Sequence, residues 1–147
     1  MLKSVLAVIV GYVVMAIFSF AAFTCAYLGL GVDRVFEAGS YDVSTIWMVV
    51  MIVLSLVGGI LGGLVCAAIS RSKGACTAFA VIILVLGLII ALTTKMKDHP
   101  DTARSGDVPN LQAMQMAQTP TWLCVLTPVL GAAGVLLGAR MKKLPTA

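Results

Sequence analysis

Ser55-Leu-Val-Gly-Gly-Ile-Leu-Gly-Gly-Leu-Val-Cys-Ala-Ala-Ile-Ser70 holds two overlapping Gly-x-x-x-Gly pairs, Gly58/Gly62 and Gly59/Gly63. The stretch closes an uncharged run that begins at Val43. Residues four apart on a helix share a face, and neighbouring residues are offset by about 100°. The two pairs therefore form adjacent rows, a flat strip extended by the small residues Ser55, Cys66, Ala67 and Ser70. Glycine weakens a helix in water, whereas in lipid it lets a second helix backbone approach closely. The strip predicts a packed bundle of membrane helices.

Composition points the same way. Hydrophobic residues make up 61% of the chain and charged residues 11%, against about a quarter charged in soluble domains, and mean hydropathy is +1.08. The 147 residues suffice for one integral membrane domain, 1–147, and leave no room for a separate soluble module. The ten basic residues lie at the ends of apolar runs or in the loops between them. No basic stripe combines with exposed aromatics, so nucleic acid is not an expected partner.

Four spans follow from the apolar runs. The first, about 5–30, begins after Lys3 and is too long for the apolar region of a signal peptide. A short polar loop, Asp33 to Thr45, carries the turn signal Gly39-Ser40 and the capping candidates Ser44 and Thr45. The second span is about 45–70, with Trp47 at its start. Arg71-Ser-Lys-Gly74 is the tightest connection and makes spans two and three antiparallel neighbours. The third span is about 75–94, with Gly87 as its one gap in bulk. The longest loop runs from Lys95 to Pro120, and Leu111 to Gln118 in it has helical apolar spacing suited to the interface. The fourth span is about 121–139, with Trp122 at its start and Thr127-Pro128 as a predicted kink.

Lys3, Arg71, Lys73, Arg140, Lys142 and Lys143 gather at one end without an acid. The other end carries Arg34, Lys95, Lys97 and Arg104 together with all six acids. The positive-inside rule then puts both termini in the cytoplasm, with a short outer first loop and a longer outer third loop. Trp47 and Trp122 both fall at the outer interface on this reading. The expected fold is an all-α membrane protein, a four-transmembrane-helix bundle. Aligning Trp47 with Trp122 also brings Gly59 onto Gly134, Gly63 onto Gly138 and Gly58 onto Ala133. Both hairpins start on the same side, as parallel two-helix repeats would; interfacial tryptophans and small packing residues alone would produce the same spacing.

The Gly-Gly-x-x-Gly-Gly second span, the approach Gly39-Ser-Tyr-x-x-Ser-Thr-x-Trp47, the Pro120-Thr-Trp122 opening and the basic end together resemble small uncharacterised four-span inner-membrane proteins of bacteria. The resemblance implies a multi-pass protein of the bacterial plasma (inner) membrane and carries over no catalytic or binding residue.

Chemistry is sparse. Every Asp, Glu, Lys, Arg and His falls outside the four apolar cores, which argues against a proton-coupled exporter with a membrane carboxylate. The polar groups left in the spans are Tyr12, Ser19, Thr24, Ser55, Thr77 and Thr127. All can bond to their own helix backbone, and packing is their default reading. Cys25 and Cys124 lie toward the outer side and can bridge if the first and fourth spans touch; otherwise cysteine is a small apolar packing residue. Met96, His99, Met114 and Met116, with Asp98 and Asp101, have the donor softness for copper(I), although one loop histidine and interfacial methionines need no metal. No Walker loop, nucleophile elbow or zinc-protease signature is present.

The expectation is therefore no enzyme, with no catalytic, cofactor-binding or metal-binding residue and no cofactor. The helix-packing interface is assigned to Gly58, Gly59, Gly62, Gly63, Gly134 and Gly138. Its partners are the lipid bilayer and either a second copy or another membrane subunit. The leading function is a non-enzymatic helix-packing or assembly component, a homo-oligomer or accessory subunit. The alternative is a small-solute transporter or channel formed between protomers, which a polar path bounded by Ser55, Thr77 or Thr127 would favour.

Overall fold

The computed structural model describes residues 2–95 and 116–142. Among them every regular element is helical: α1 (Leu2–Leu30), α2 (Val32–Val35), α3 (Thr45–Ser70), α4 (Lys73–Lys95) and α5 (Thr121–Met141). All but α2 are long and apolar enough to cross a membrane. The boundaries move slightly from those expected. Helix α1 begins at Leu2, α4 already at Lys73, and α5 runs on to Met141. The α3–α4 turn is only Arg71 and Ser72. Arg71 closes α3 in the left-handed region (φ 51°), donating its N–H to the Ala67 carbonyl at 3.1 Å.

The glycine rows divide between two neighbours. Gly58 and Gly62 face α1: a methyl on Gly62 would sit 3.2 Å from the Gly11 carbonyl oxygen, and one on Gly58 3.2 Å from Ser19 Oγ. Gly59 and Gly63 face α5. A Cβ on Gly59 would lie 2.3 Å from the Gly131 carbonyl oxygen, and one on Gly63 2.1 Å from that of Val135. In return, a Cβ on Gly134 would lie 2.6 Å from the Leu56 carbonyl oxygen, and one on Gly138 2.1 Å from that of Ile60. Such distances exist only where two backbones touch, the arrangement that small-xxx-small sequences permit.

These four contacts exchange under one shift of register. The alignment that sets Trp47 on Trp122 carries Leu56 to Gly131, Gly59 to Gly134, Ile60 to Val135 and Gly63 to Gly138. Gly59 meets Gly131 while Gly134 meets Leu56, and Gly63 meets Val135 while Gly138 meets Ile60. When the counterparts of two touching residues also touch each other, the interface is two-fold in character. Helices α3 and α5 run in the same direction, so the α1–α3 and α4–α5 hairpins pack as pseudo-symmetric parallel repeats.

Residues 31–44 are more than a polar loop. Gly31 (φ 74°) turns the chain from α1 into α2, and Phe36 and Val43 form an antiparallel bridge. Ser44 caps α3 by accepting the Trp47 N–H at 3.2 Å, while its hydroxyl donates to the Arg34 carbonyl. Val32, Val35, Phe36 and Val43 are buried with Tyr27 and Trp47 in a second small core. Trp47 is 7% exposed and packs on Phe23 and Tyr27, with ring centroids 5.9 and 6.4 Å away. It is a core residue of this cap, not an interfacial anchor; Trp122, 55% exposed, stands at the surface. Gln118 ties the start of α5 to the cap, its N–H donating to the Tyr41 carbonyl at 2.9 Å.

Candidate functional site

Helix α1 packs on α3 but has no Cα within 8 Å of any residue of α5. Toward the basic end, Phe79 of α4 closes the gap. It is fully buried, and its ring edge lies 3.2–3.3 Å from where methyls on Gly11 and Gly62 would be. Toward the cap, α1 and α4 part, leaving a groove of about 330 Å3 bordered by all four long helices. Its α1 side carries Tyr12, Met15 and Ser19, its α3 side Met51 and Ser55, and its α4 side Ile83 to Ala91. Thr119, just before α5, and Cys124, Thr127, Pro128 and Gly131 of α5 complete the lining. Among the described residues no Asp, Glu, His, Lys or Arg lines it. The groove is blind at the basic end, where Ala7, Cys66, Phe79 and Val135 form a solvent-free core.

Helix α5 continues through Pro128 because two neighbours accommodate it. Gly87 of α4 leaves space for the proline ring: a Cβ there would lie 2.3 Å from Pro128 Cβ. Proline cannot donate to the carbonyl of Cys124, four residues earlier. The Thr127 hydroxyl donates to that carbonyl instead, at 3.5 Å, a repair that proline in membrane helices commonly needs. Gly87, noted in the sequence only as a gap, is thus the proline's partner.

The hydroxyls of the spans fall into two groups. Thr77 and Thr93, like Ser70 at the end of α3, donate back to carbonyls of their own helices, at 3.1, 3.0 and 2.8 Å. Tyr12, Ser19 and Ser55 make no hydrogen bond among the described residues, and all three line the groove. Tyr12, Ser19, Ser55 and Thr77 read alike in the sequence as helix-bonded packing groups. Only the helix arrangement separates three that converge on one space. The bounding set Ser55, Thr77 and Thr127 is likewise split, because Thr77 lies in a different crevice.

The possible Cys25–Cys124 bridge does not form. Cys25 is exposed, Cys124 is half-buried, neither is in a disulfide, and no Cα of α1 lies within 8 Å of α5; a disulfide needs Cα atoms within about 7 Å. The cysteines that do share a core are Cys66 and Cys76, buried in one cluster on either side of the α3–α4 turn, a pairing that depends on where the turn falls. All six glycines assigned to packing are buried in contacts within the chain. Met96, His99, Asp98, Asp101 and Met114, and most of the interfacial segment 111–118, lie outside the described residues. Among the described residues no three His, Cys, Asp or Glu side chains gather as a metal site.

No family model, curated protein or solved structure matches the chain. The functional reading therefore rests on the groove and its chemistry.

Proposed function

We propose that this multi-pass protein takes a small, neutral, amphiphilic molecule from the bilayer into the groove between α1 and α4, as the first step of carrying it. The observation that carries this reading is the convergence on one cavity of three hydroxyls, Tyr12, Ser19 and Ser55, that have no hydrogen-bond partner among the described residues. An unpaired hydroxyl in an apolar setting costs about 1–3 kcal/mol. A ligand polar group recovers much of that, whereas an aliphatic chain gains little, because lipid tails already surround it as well as the groove can. Selection is therefore for a molecule with an apolar body and one or two hydroxyl or carbonyl groups. A volume of about 330 Å3 lies at the small end of ligand sites. The blind floor at Phe79 makes the groove a binding pocket, and carriage requires α1 to move.

The assembly reading relied on glycine faces beyond what internal packing uses. Gly58 and Gly62 are occupied by α1, Gly59 and Gly63 by α5, so α3 offers no spare row to a partner. The cluster of basic residues at one end supports cytoplasmic termini, and residence in a bacterial plasma membrane is what the resemblance to small four-span inner-membrane proteins implies.

Photolabelling tests the proposal. A medium-chain alcohol bearing a diazirine should label α1 and α5 peptides around the groove, and the matching diazirine alkane should label the lipid-facing surface without preference. The combined variant Tyr12→Phe/Ser19→Ala/Ser55→Ala should abolish the alcohol's preference. Equal groove labelling by alcohol and alkane would overturn the reading.

A further inference from the structure

A second crevice opens at the basic end, between the first turns of α4 and the last turns of α5. It measures about 610 Å3, and its lining includes Lys73, Thr77, Leu136, Ala139, Arg140 and Lys142. At this end α5 seats on α3, with Gly138 against the Ile60 carbonyl, and α5 also meets α4 several turns away, at Pro128 and Gly87.

Three cations converge there, and no described residue of the lining carries a carboxylate. The acids among the described residues, Asp33, Glu37 and Asp42, belong to the cap at the opposite end. Two of the cations are fixed by helix ends: Lys73 is the first residue of α4, and Arg140 lies in the last turn of α5. Lys142 follows directly as the residue after the last turn. Like charges held together repel, and a bound anion relieves that repulsion. The start of α4 adds the positive end of its dipole. The Thr77 hydroxyl, spent as a donor on the Lys73 carbonyl at 3.1 Å, leaves the cations as the crevice's charged donors.

Polarity also changes with depth. Leu136 lies one helical turn deeper than Arg140 on the same face of α5, with Ala139 between them. A ligand with an anionic head and an apolar body, aligned along the membrane normal, matches that gradient; a free anion would have no use for its apolar part. The site also lies where apolar spans end, the level of headgroups. Basic pockets between membrane helices at this depth suit anionic lipid heads. From the three cations, the missing acid and the apolar wall beneath them, we infer that this crevice binds the phosphate headgroup of an anionic phospholipid. It is separate from the groove near the cap, and neither site depends on the other.

Native mass spectrometry of the detergent-purified full chain tests this, using phosphatidylglycerol and phosphatidylcholine with identical acyl chains. Wild type should retain the anionic lipid preferentially. Each crevice charge removed should weaken retention about fivefold, so Lys73→Gln/Arg140→Gln should lose about 25-fold. Lys142→Gln, beyond the last helical turn and unable to disturb the bundle, should show the single step on its own. Lys3→Gln/Arg71→Gln removes the same charge from the same end outside the crevice and should retain the lipid. Equal retention of both lipids, or equal loss in the two double variants, would overturn the assignment. So would displacement of the lipid by millimolar inorganic phosphate, which would make this a site for a soluble anion.

Discussion

Gly58 and Gly63 are both buried glycines of α3, yet a methyl group would meet different things at each. At Gly63 it would lie 2.1 Å from a backbone oxygen of α5, which cannot move without shifting the helix. At Gly58 its nearest neighbour is the Ser19 hydroxyl at 3.2 Å, which can rotate away. Alanine gains up to about 1 kcal/mol of helix propensity over glycine, while overpacking against fixed atoms costs about 1–3 kcal/mol. Gly63→Ala should therefore destabilise the bundle by about 1–2 kcal/mol, and Gly58→Ala should be close to neutral. Gly29→Ala, where nothing lies within 4 Å, should be neutral or slightly stabilising. Unfolding of the purified variants in mixed micelles would rank them, and equal losses at Gly58 and Gly63 would contradict the division of rows. Ser55 gives the opposite kind of prediction. Its hydroxyl has no partner among the described residues, so Ser55→Ala should raise stability by about 0.5–1 kcal/mol while lowering alcohol labelling of the groove. A loss of stability in the same assay would show that the hydroxyl has a structural bond. The presence of a glycine strip was legible in the sequence, but the division of its rows between two helices was not. Helical spacing gives the angle between rows and says nothing of which neighbour stands opposite each.

At the scale of elements, the two tryptophans show where reading by pattern stopped. Each stands near the start of a span, and the sequence gives both the same interfacial role. The structure buries Trp47 under residues 31–44 and leaves Trp122 exposed. The cap was illegible because its apolar residues, Val32, Val35, Phe36 and Val43, are spread among charged and turn-forming neighbours and have no helical or strand period. Trp47→Ala should cost about 3–5 kcal/mol, as large-to-small core changes do, whereas Trp122→Ala should stay within about 1 kcal/mol. Ser44→Ala should cost about 1 kcal/mol through loss of the α3 cap. It should also raise amide exchange at Trp47, whose N–H the serine accepts. Slow exchange at Trp47 in that variant would show that the cap is held by other bonds. Helix α5 was read better. The proline was visible, but not its accommodation by Gly87 and Thr127, because a partner on another helix and a side-chain rotamer leave no mark on local sequence.

For the whole molecule, four spans and their antiparallel neighbours could be read from the apolar runs and the short Arg71–Gly74 connection, because lipid allows little else. The repeat was only half legible: matching spacing suggested it, but tryptophans and small residues recur in membrane helices for ordinary reasons. The exchanged contacts of Gly59, Gly63, Gly134 and Gly138 are what spacing alone could not supply, since they relate partners as well as positions. Symmetry fails where function is proposed. Helix α4 reaches both α3 and α5, while α1 reaches α3 and stops short of α5, and the groove occupies that shortfall. If the halves are repeats joined face to face, the two-residue turn between α3 and α4 contributes mainly by keeping them at high local concentration. Residues 1–72 and 73–147 expressed as separate chains in one membrane should then co-purify, while either alone should be degraded. Their association should depend on the α3–α5 face, so Gly59→Leu in the first half should abolish co-purification, because its side chain would enter the Gly131 backbone. Phe79→Leu in the second half keeps an apolar plug and touches the α1 side instead, so it should leave the halves together. Halves that pair equally well with and without Gly59→Leu would show that α3 and α5 are held by contacts other than the glycine face.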